Sequence, residues 1–499
     1  MAIKLPDPGN GIPEQKTGND EWTNMKIVRD NFADQSNAAS RLVGEENGRI
    51  PLYEHVPKVT SELGGSNKLA VSQKLLTDLL TPRINDIGTA GEMGFGVGIT
   101  DNLPSGMSEM MGTTIKGHEN YGNYQFSDGS VMCYVPKFYY RWGHRDSPNF
   151  AKHGANALDV KPASAFASES AANSAGYALH RAFYDGGEIK QGFFVDKFQC
   201  SNSSGVASSI KFAVPMSTSS ANNPISGLTG SIANNLGGTI DAAKTRGQDF
   251  FPTTIFIQKA LALLSMAHAQ AATNSASCAW YDASGVTNYP KGCNNNALRD
   301  ANDTSVEYAE SGYSNMGKTG SGNPFAKTTH NGQSSGVADL NGNLWEAALG
   351  ITVSADKFHV LKISAKASAL TSGISSATDA WGATGVTANY DLIGESYGEL
   401  TGESRNFAVG STSSAVFSAA KSGISWAMDG AGVPVTGGAG GTNIFGNDRF
   451  YDNKVNDCCP IVGGYWSDGS LAGVWSARFT TSRASSHSGY GFRAALYHV

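Results

Sequence analysis

From Tyr124 to the C-terminus, short β-like runs alternate with long stretches of Ala, Ser and Gly, and this alternation restricts the possible folds more than any other feature. Val131–Arg141 (VMCYVPKFYYR) and Gly192–Phe198 are rich in β-branched and aromatic residues and are bounded by turn formers, so both are expected as strands. The stretches Ala163–Ala178, Ser201–Asn235, Ser364–Ala388 and Gly410–Gly441 carry few large apolar side chains. They cannot form cores of their own and read as loops laid over a core supplied by the strands. One helix stands out. Thr253 or Thr254 can cap a run from Ile255 to Ala272 in which Ile257, Leu261, Leu264 and Ala267 or His268 recur at helical spacing. His268 reads as a solvated or hydrogen-bonded helix residue, because no second His or carboxylate sits four residues away.

Composition narrows the function. The 499 residues suggest two to four domains, and only 16% are charged, which favours turns over long salt-bridged helices. A net charge of −6 gives no basic footprint for nucleic acid and disfavours an anionic membrane surface. Gln258, Lys259 and His268 interrupt the most apolar window, so no membrane insertion is expected. Met1–Asn10 shows no apolar region of a secretory signal. Six cysteines are too few for a disulfide scaffold and form no Cys-x-x-Cys pair, so they read as reduced thiols, although Cys278 and Cys293 bracket a loop and could pair.

The first 125 residues differ from the rest. After Asn19-Asp20, a helix over Glu21–Leu42 would place Met25, Val28, Phe32, Gln35, Ala39 and Leu42 in a short heptad seam. This is either an oligomerising helix with one polar register residue or an ordinary amphipathic one. A second helix is expected over Lys68–Leu80, ending before Pro82. Asn85–Asn123 is Gly-rich and reads as loops or a linker; no Gly-Lys-Ser/Thr follows, so it is not a nucleotide loop.

Four stretches in order resemble the formylglycine-generating-enzyme family: Phe193–Asn202 (FFVDKFQCSN), Phe251-Pro252-Thr253 at a helix start, Gly336–Glu346 (GVADLNGNLWE), and Gly463-Gly464-Tyr465-Trp466 with Gly491-Phe492-Arg493. The resemblance implies the C-type-lectin-like fold over about 300 residues. In the third stretch Asn and Gly permit a tight turn of positive φ, and Trp345 supplies an apolar anchor. Asn341, Glu346 and the carbonyls of Gly342 and Leu344 match positions where relatives bind calcium, and the alternative is a hydrogen-bonded turn without metal; no cofactor is required. Arg493 is expected to tie the final strand to a carboxylate or to backbone carbonyls.

Relatives that oxidise a cysteine place thiols just before the last Gly-Phe-Arg, whereas Pro460–Val499 contains no Cys. No His-Glu-x-x-His helix is found either, so the chain is not expected to be an enzyme. The segment instead has the composition of a binding loop, with rigid aromatics among Ser, Gly, Asp and Arg. Tyr465, Trp466, Ser467, Asp468, Ser470, Trp475, Arg478, Thr480, Ser485, His487 and Tyr490 are the candidate receptor contacts, with Trp466, Val474, Phe479 and Phe492 partly structural. Among the contacts, Trp475, Arg478, His487 and Tyr490 are expected to be exposed. The layout is similar to the variable segment of retroelement-diversified proteins, phage tropism determinants among them. Glu21–Gly44 resembles tail-fibre and baseplate proteins of tailed bacteriophages.

The sequence therefore reads as an α+β protein in two parts. Residues 1–125 form a helical tail-attachment and oligomerisation region, and residues 126–499 form a C-type-lectin-like receptor-binding domain with long loops. The resemblance implies a virion protein made in the host cytoplasm, a homotrimer, with other tail or baseplate proteins and a bacterial cell-surface receptor, protein or glycan, as partners. An enzyme of formylglycine-generating type or a surface-glycan hydrolase is the first alternative, and a purely structural tail component the second.

Overall fold

Two six-stranded sheets organise the part of the chain that carries the motifs. The computed structural model describes residues 86–283, 289–375, 386–393, 405–408, 417–435 and 448–497. The helices expected at Glu21–Leu42 and Lys68–Leu80 lie outside the described residues.

The first sheet runs β1 (Met107–Glu109), β2 (Asn123–Phe126), β3 (Val131–Pro136), β4 (Gly192–Asp196), then β12 (Ala494–Tyr497) and β5 (Phe251–Pro252). All its pairings are antiparallel. The run expected as one strand over Val131–Arg141 ends at Pro136 and resumes as Phe138–Trp142, which pairs in a separate three-stranded sheet. Proline has no N–H to donate, so the ladder breaks there and the chain changes sheets.

The boundary expected near residue 125 cuts through β2, which is hydrogen-bonded to β1 on one side and β3 on the other. Residues expected as a linker are core instead: Ile87, Phe95 and Val97 are fully buried. The glycines serve close approach rather than flexibility. A Cβ on Gly98 would meet the Pro136 ring at 2.3 Å, and one on Gly91, at φ +88°, the Ala271 carbonyl oxygen at 2.7 Å.

The expected helix is α1 (Ile255–Ala271). Thr254 is its cap, its hydroxyl accepting from the Ile257 N–H at 3.2 Å, while Thr253 Oγ1 accepts from Gln258 Nε2 at 2.9 Å. Every residue from Ile255 to His268 is buried, so the helix is surrounded by the fold. His268 stacks on Phe95 at 5.3 Å. Its Nδ1 accepts from the Gly91 N–H at 3.0 Å and its Nε2 faces the Ser277 carbonyl at 2.8 Å, a neutral imidazole with both nitrogens used. Burial pushes its pKa down to about 4. Among the described residues no helix is long and apolar enough to cross a membrane. All six cysteines are free and buried, so Cys278 and Cys293 do not pair.

The second sheet has the order β7 (Arg405–Ala408), β8 (Arg449–Asp452), β10 (Gly473–Phe479), β9 (Ile461–Gly463), β6 (Trp345–Ala347), β11 (Tyr490–Gly491). It mixes parallel and antiparallel pairs: β8–β10 and β6–β11 are parallel. This sheet brings the hallmark turn before β6 beside the C-terminal segment.

Against strand Phe138–Trp142 packs α2 (Gly423–Gly430), where the Tyr140 hydroxyl donates to Asp429 Oδ2 at 2.5 Å. Burial pushes the Asp429 carboxyl up to about 8, the Tyr140 hydroxyl pulling the other way. Between the ordinary carboxylate value and about 8, the folded chain keeps a proton that the unfolded chain has released. The group's contribution is therefore fully present at low pH and is lost as pH rises to about 8. Asp429→Asn is expected to match wild type near pH 4 and to gain on it by up to about 5 kcal/mol by pH 9, read from urea midpoints. A constant difference across that range would contradict a protonated Asp429.

Candidate binding face

The turn Asp339–Glu346 is the frame of the site. Gly342 and Asn343 adopt φ of +75° and +62°, a Gly-Asn turn in the left-handed region, and a Cβ on Gly342 would meet the Cys293 carbonyl oxygen at 2.3 Å. Asn343 anchors it, its Oδ1 accepting from the Gly317 N–H at 2.8 Å and its Nδ2 donating to Gln199 Oε1 at 2.9 Å. The Gly342 N–H donates to the Gly463 carbonyl at 2.9 Å, which binds the turn to the start of the C-terminal segment.

Register then decides which side chains share a face. Trp345 pairs with Tyr490, Ala347 with Ile461, Ile461 with Arg478, and Arg478 with Tyr451. Paired residues point to the same side and alternate along each strand, so Tyr490, Trp345, Arg478, Tyr451 and Arg449 lie on one face. The other side carries Phe450, Ala477, Phe479 and Glu346, all buried.

Loops close over that face. The Tyr465 and His487 rings are 6.0 Å apart, those of His487 and Tyr490 5.0 Å, and the Arg478 guanidinium sits 5.7 Å from the Trp345 ring. The Tyr465 N–H donates to Asp468 Oδ2 at 3.0 Å, and the Gly489 N–H to His487 Nδ1 at 2.9 Å. Burial raises the Asp468 carboxyl pKa, with Arg478 and Arg449 among the groups that pull it back down. Burial, and the charge of Arg478, lower that of His487. Tyr465, Asp468, Arg478, His487 and Tyr490, five of the expected contacts, are thus brought together.

The others divide. Trp475 is a correction: it is 1% exposed, its ring 6.0 Å from Trp142 and 5.6 Å from Phe417, and its backbone N–H donates to Asp448 Oδ2 at 2.7 Å. It projects to the side of β10 opposite Arg478, because the two residues are three apart. Trp466 is buried too, in a small cluster with Cys293, Val306, Tyr308, Met316 and Leu344. Ser485 accepts from the Ser482 N–H and closes its own turn. Ser467 is exposed, and Ser470 and Thr480 are half-buried. Arg449 and Tyr451 were not anticipated. They reach the face by the parallel pairing of β8 with β10, which no local pattern announces.

The residues expected to hold calcium do not fit it. Glu346 Oε1 accepts from Arg493 Nη2 at 2.6 Å and Gln199 Nε2 at 3.0 Å, and Oε2 from Arg493 Nε and Gln258 Nε2, both at 2.7 Å. The Leu344 carbonyl accepts from Gln199 Nε2 at 3.1 Å, and Asn341 Oδ1 from Asn294 Nδ2 at 3.0 Å. A cation would have to displace a guanidinium that already supplies the positive charge. Among the described residues no group of three or more His, Cys, Asp and Glu could hold a metal ion.

No family model and no curated protein matches the chain. The solved structures that it is similar to include two Major Tropism Determinant variants. The U1 variant is 10% identical with a TM-score of 0.25, and the P3c variant 11% identical with a TM-score of 0.27. Each comparison covers 75% of this chain and 66% of the other, just under two thirds of those proteins.

Away from this face, a cleft of about 680 Å³ is lined by residues including Trp280, Tyr281, Lys291, Asn302, Asp303 and Lys327. Its tryptophan offers no open platform, being stacked on Tyr289 at 5.0 Å with its indole N–H donated to the Thr329 carbonyl. Lys327 and Asp303 pair across it at 2.7 Å.

Proposed function

We propose that the chain is a receptor-binding protein of a phage tail, and that the face built by Tyr465, Asp468, Arg478, His487 and Tyr490 meets the host surface. The observation that carries this is their convergence. Residues from the 465–468 loop, strand β10, the 487 turn and β11 come together half-buried or exposed, over Trp345 as a buried anchor. A fixed scaffold beneath, with aromatic and polar tips above, gives contact area at low entropic cost. The C-type-lectin-like reading of the C-terminal part belongs to this proposal. So do a homotrimeric assembly through the N-terminal region, attachment to other tail or baseplate proteins, and residence in the virion.

Binding without turnover is proposed as well. Burial pushes the Cys459 thiol up to about 12 and the Cys458 thiol well above its ordinary value, which leaves no reactive thiolate there. The Glu346 and Asp196 carboxylates are spent on buried arginines.

Tyr465→Ala/His487→Ala is expected to reduce binding of the purified protein to susceptible bacteria at least tenfold, with the thermal midpoint unchanged. Equal binding by a folded variant would move the contact elsewhere, and wild type that binds no cell would favour a structural tail component. Release of sugar from host envelopes would favour the hydrolase.

A further inference from the structure

Arg478 and Arg449, two half-buried guanidiniums on this face, lack an acidic partner among the described residues. The Nε of each is shut off from solvent with no hydrogen-bond acceptor. Among the described residues neither forms an ion pair within 4.0 Å. Two interior arginines differ: Arg246 grips Asp196 at 2.5 and 3.1 Å, and Arg493 grips Glu346 at 2.6 and 2.7 Å. Buried Arg181, whose Nε also has no acceptor, still donates its Nη groups to the Tyr184 and Leu361 carbonyls at 2.8 and 2.9 Å. A guanidinium partly removed from water without an acceptor is unfavourable, and an arriving anion offsets that cost.

Register brings the two together. Tyr451 pairs with Arg478, and the Arg449 N–H, two residues back, donates to Ser476 Oγ at 3.1 Å, two residues before Arg478. Asp468 lies within the field of both arginines. With His487 neutral, two positive charges there face one negative, inside a chain of net charge −6. The local excess suits a single anionic group rather than a polyanion.

We propose that this face binds an acidic saccharide, its carboxylate or phosphate held by Arg478 and Arg449 and its ring laid against Tyr465 and Tyr490. The inference rests on the receptor-binding reading of the same face. Guanidinium forks match carboxylate and phosphate oxygens bidentately. The Tyr465 and Tyr490 rings are inclined at 73° and 42° to His487, a corner rather than a parallel slot, which suits the apolar face of a pyranose better than stacked bases. Asp468 and His487 remain for sugar hydroxyls. An acidic peptide, with several carboxylates in a row, would set one of them against Asp468.

The test uses the full chain on immobilised oligosaccharides bearing uronic acids, sugar phosphates, or their neutral counterparts. Wild type is expected to bind one acidic class at least tenfold more tightly than its neutral counterpart, and the two acidic arms identify the anion. Arg478→Gln and Arg449→Gln are each expected to lose at least tenfold on the acidic class alone with unchanged thermal midpoints, and Arg478→Lys to fall between. No saccharide binding, equal binding to acidic and neutral sugars, or Gln variants that bind as wild type would each overturn the inference. Cell binding that needs Tyr465 and His487, yet is lost on protease treatment of the cells and is not competed by acidic sugars, would overturn it while leaving the receptor reading intact. Acidic-sugar binding without cell binding would do the reverse.

Discussion

Arg493→Ala is expected to destabilise the fold by about 3–5 kcal/mol, seen as a lowered urea midpoint with the slope unchanged. The side chain is fully buried, and its partner Glu346 is 2% exposed. Besides both Glu346 oxygens, the guanidinium donates to the Asp196 carbonyl at 2.9 Å and the Ala338 carbonyl at 2.8 Å. One side chain thus joins the last strand, β4, and the hallmark turn. Its removal leaves a buried carboxylate with only the Gln199 and Gln258 amides, so the loss exceeds that of the hydrogen bonds alone. Glu346→Gln alone is expected to cost a comparable amount, since the new amide nitrogen would face two donors and the buried guanidinium would lose its counter-charge. Arg493→Met/Glu346→Gln should cost less than the sum of the single changes, because no charge remains buried. An Arg493→Ala loss within about 1 kcal/mol of wild type would mean that strand pairing, not this ion pair, holds the C-terminus.

This pair also explains why the sequence was readable where it was. The Asn-Gly-Asn-x-Trp-Glu turn and the Gly-Phe-Arg end are two halves of one interaction, 147 residues apart. Each is marked locally by glycine and an aromatic residue. Helix α1 was legible for a similar reason: a capping Thr and an unbroken apolar run are local signals. Where the structure departs from expectation, the deciding contacts are non-local. Gly94, Gly96 and Gly98 announce turns, but not that the turns enclose Phe95 and Val97 or that Gly96 lies against His330. Proline 136 marked a break in pairing that β-propensity alone bridged. At the proposed binding face, Tyr465, Asp468, Arg478, His487 and Tyr490 were visible in one short composition-biased segment. Arg449 and Tyr451 were not, because a parallel strand pair depends on register that sequence does not display.

The same limit applies to Trp475, whose replacement by Ala is expected to cost about 3–5 kcal/mol. Composition placed it among the exposed aromatics. The burial of β10 shows why that failed: Gly473 to Ala477 are all buried, so the strand is covered on both faces over that stretch and alternation no longer separates inside from outside. The indole instead joins an aromatic cluster in which Trp142 and Phe417 stack at 4.3 Å. On either side of it in the chain, the Val474 and Ser476 carbonyls accept from Lys259 Nζ at 3.0 and 3.1 Å. Truncation would open a cavity under β10 and loosen the strand that carries Arg478. Trp475→Ala is therefore expected to weaken receptor binding only together with a lowered unfolding midpoint, whereas Trp475→Phe keeps most of the packing and most of both properties. Tyr465→Ala, on a half-buried side chain at the rim, should reverse the pattern by reducing binding with a stability change within about 1 kcal/mol. If Trp475→Ala abolished binding at an unchanged midpoint, the indole would be a contact after all, and the floor of the binding face would lie on the other side of β10.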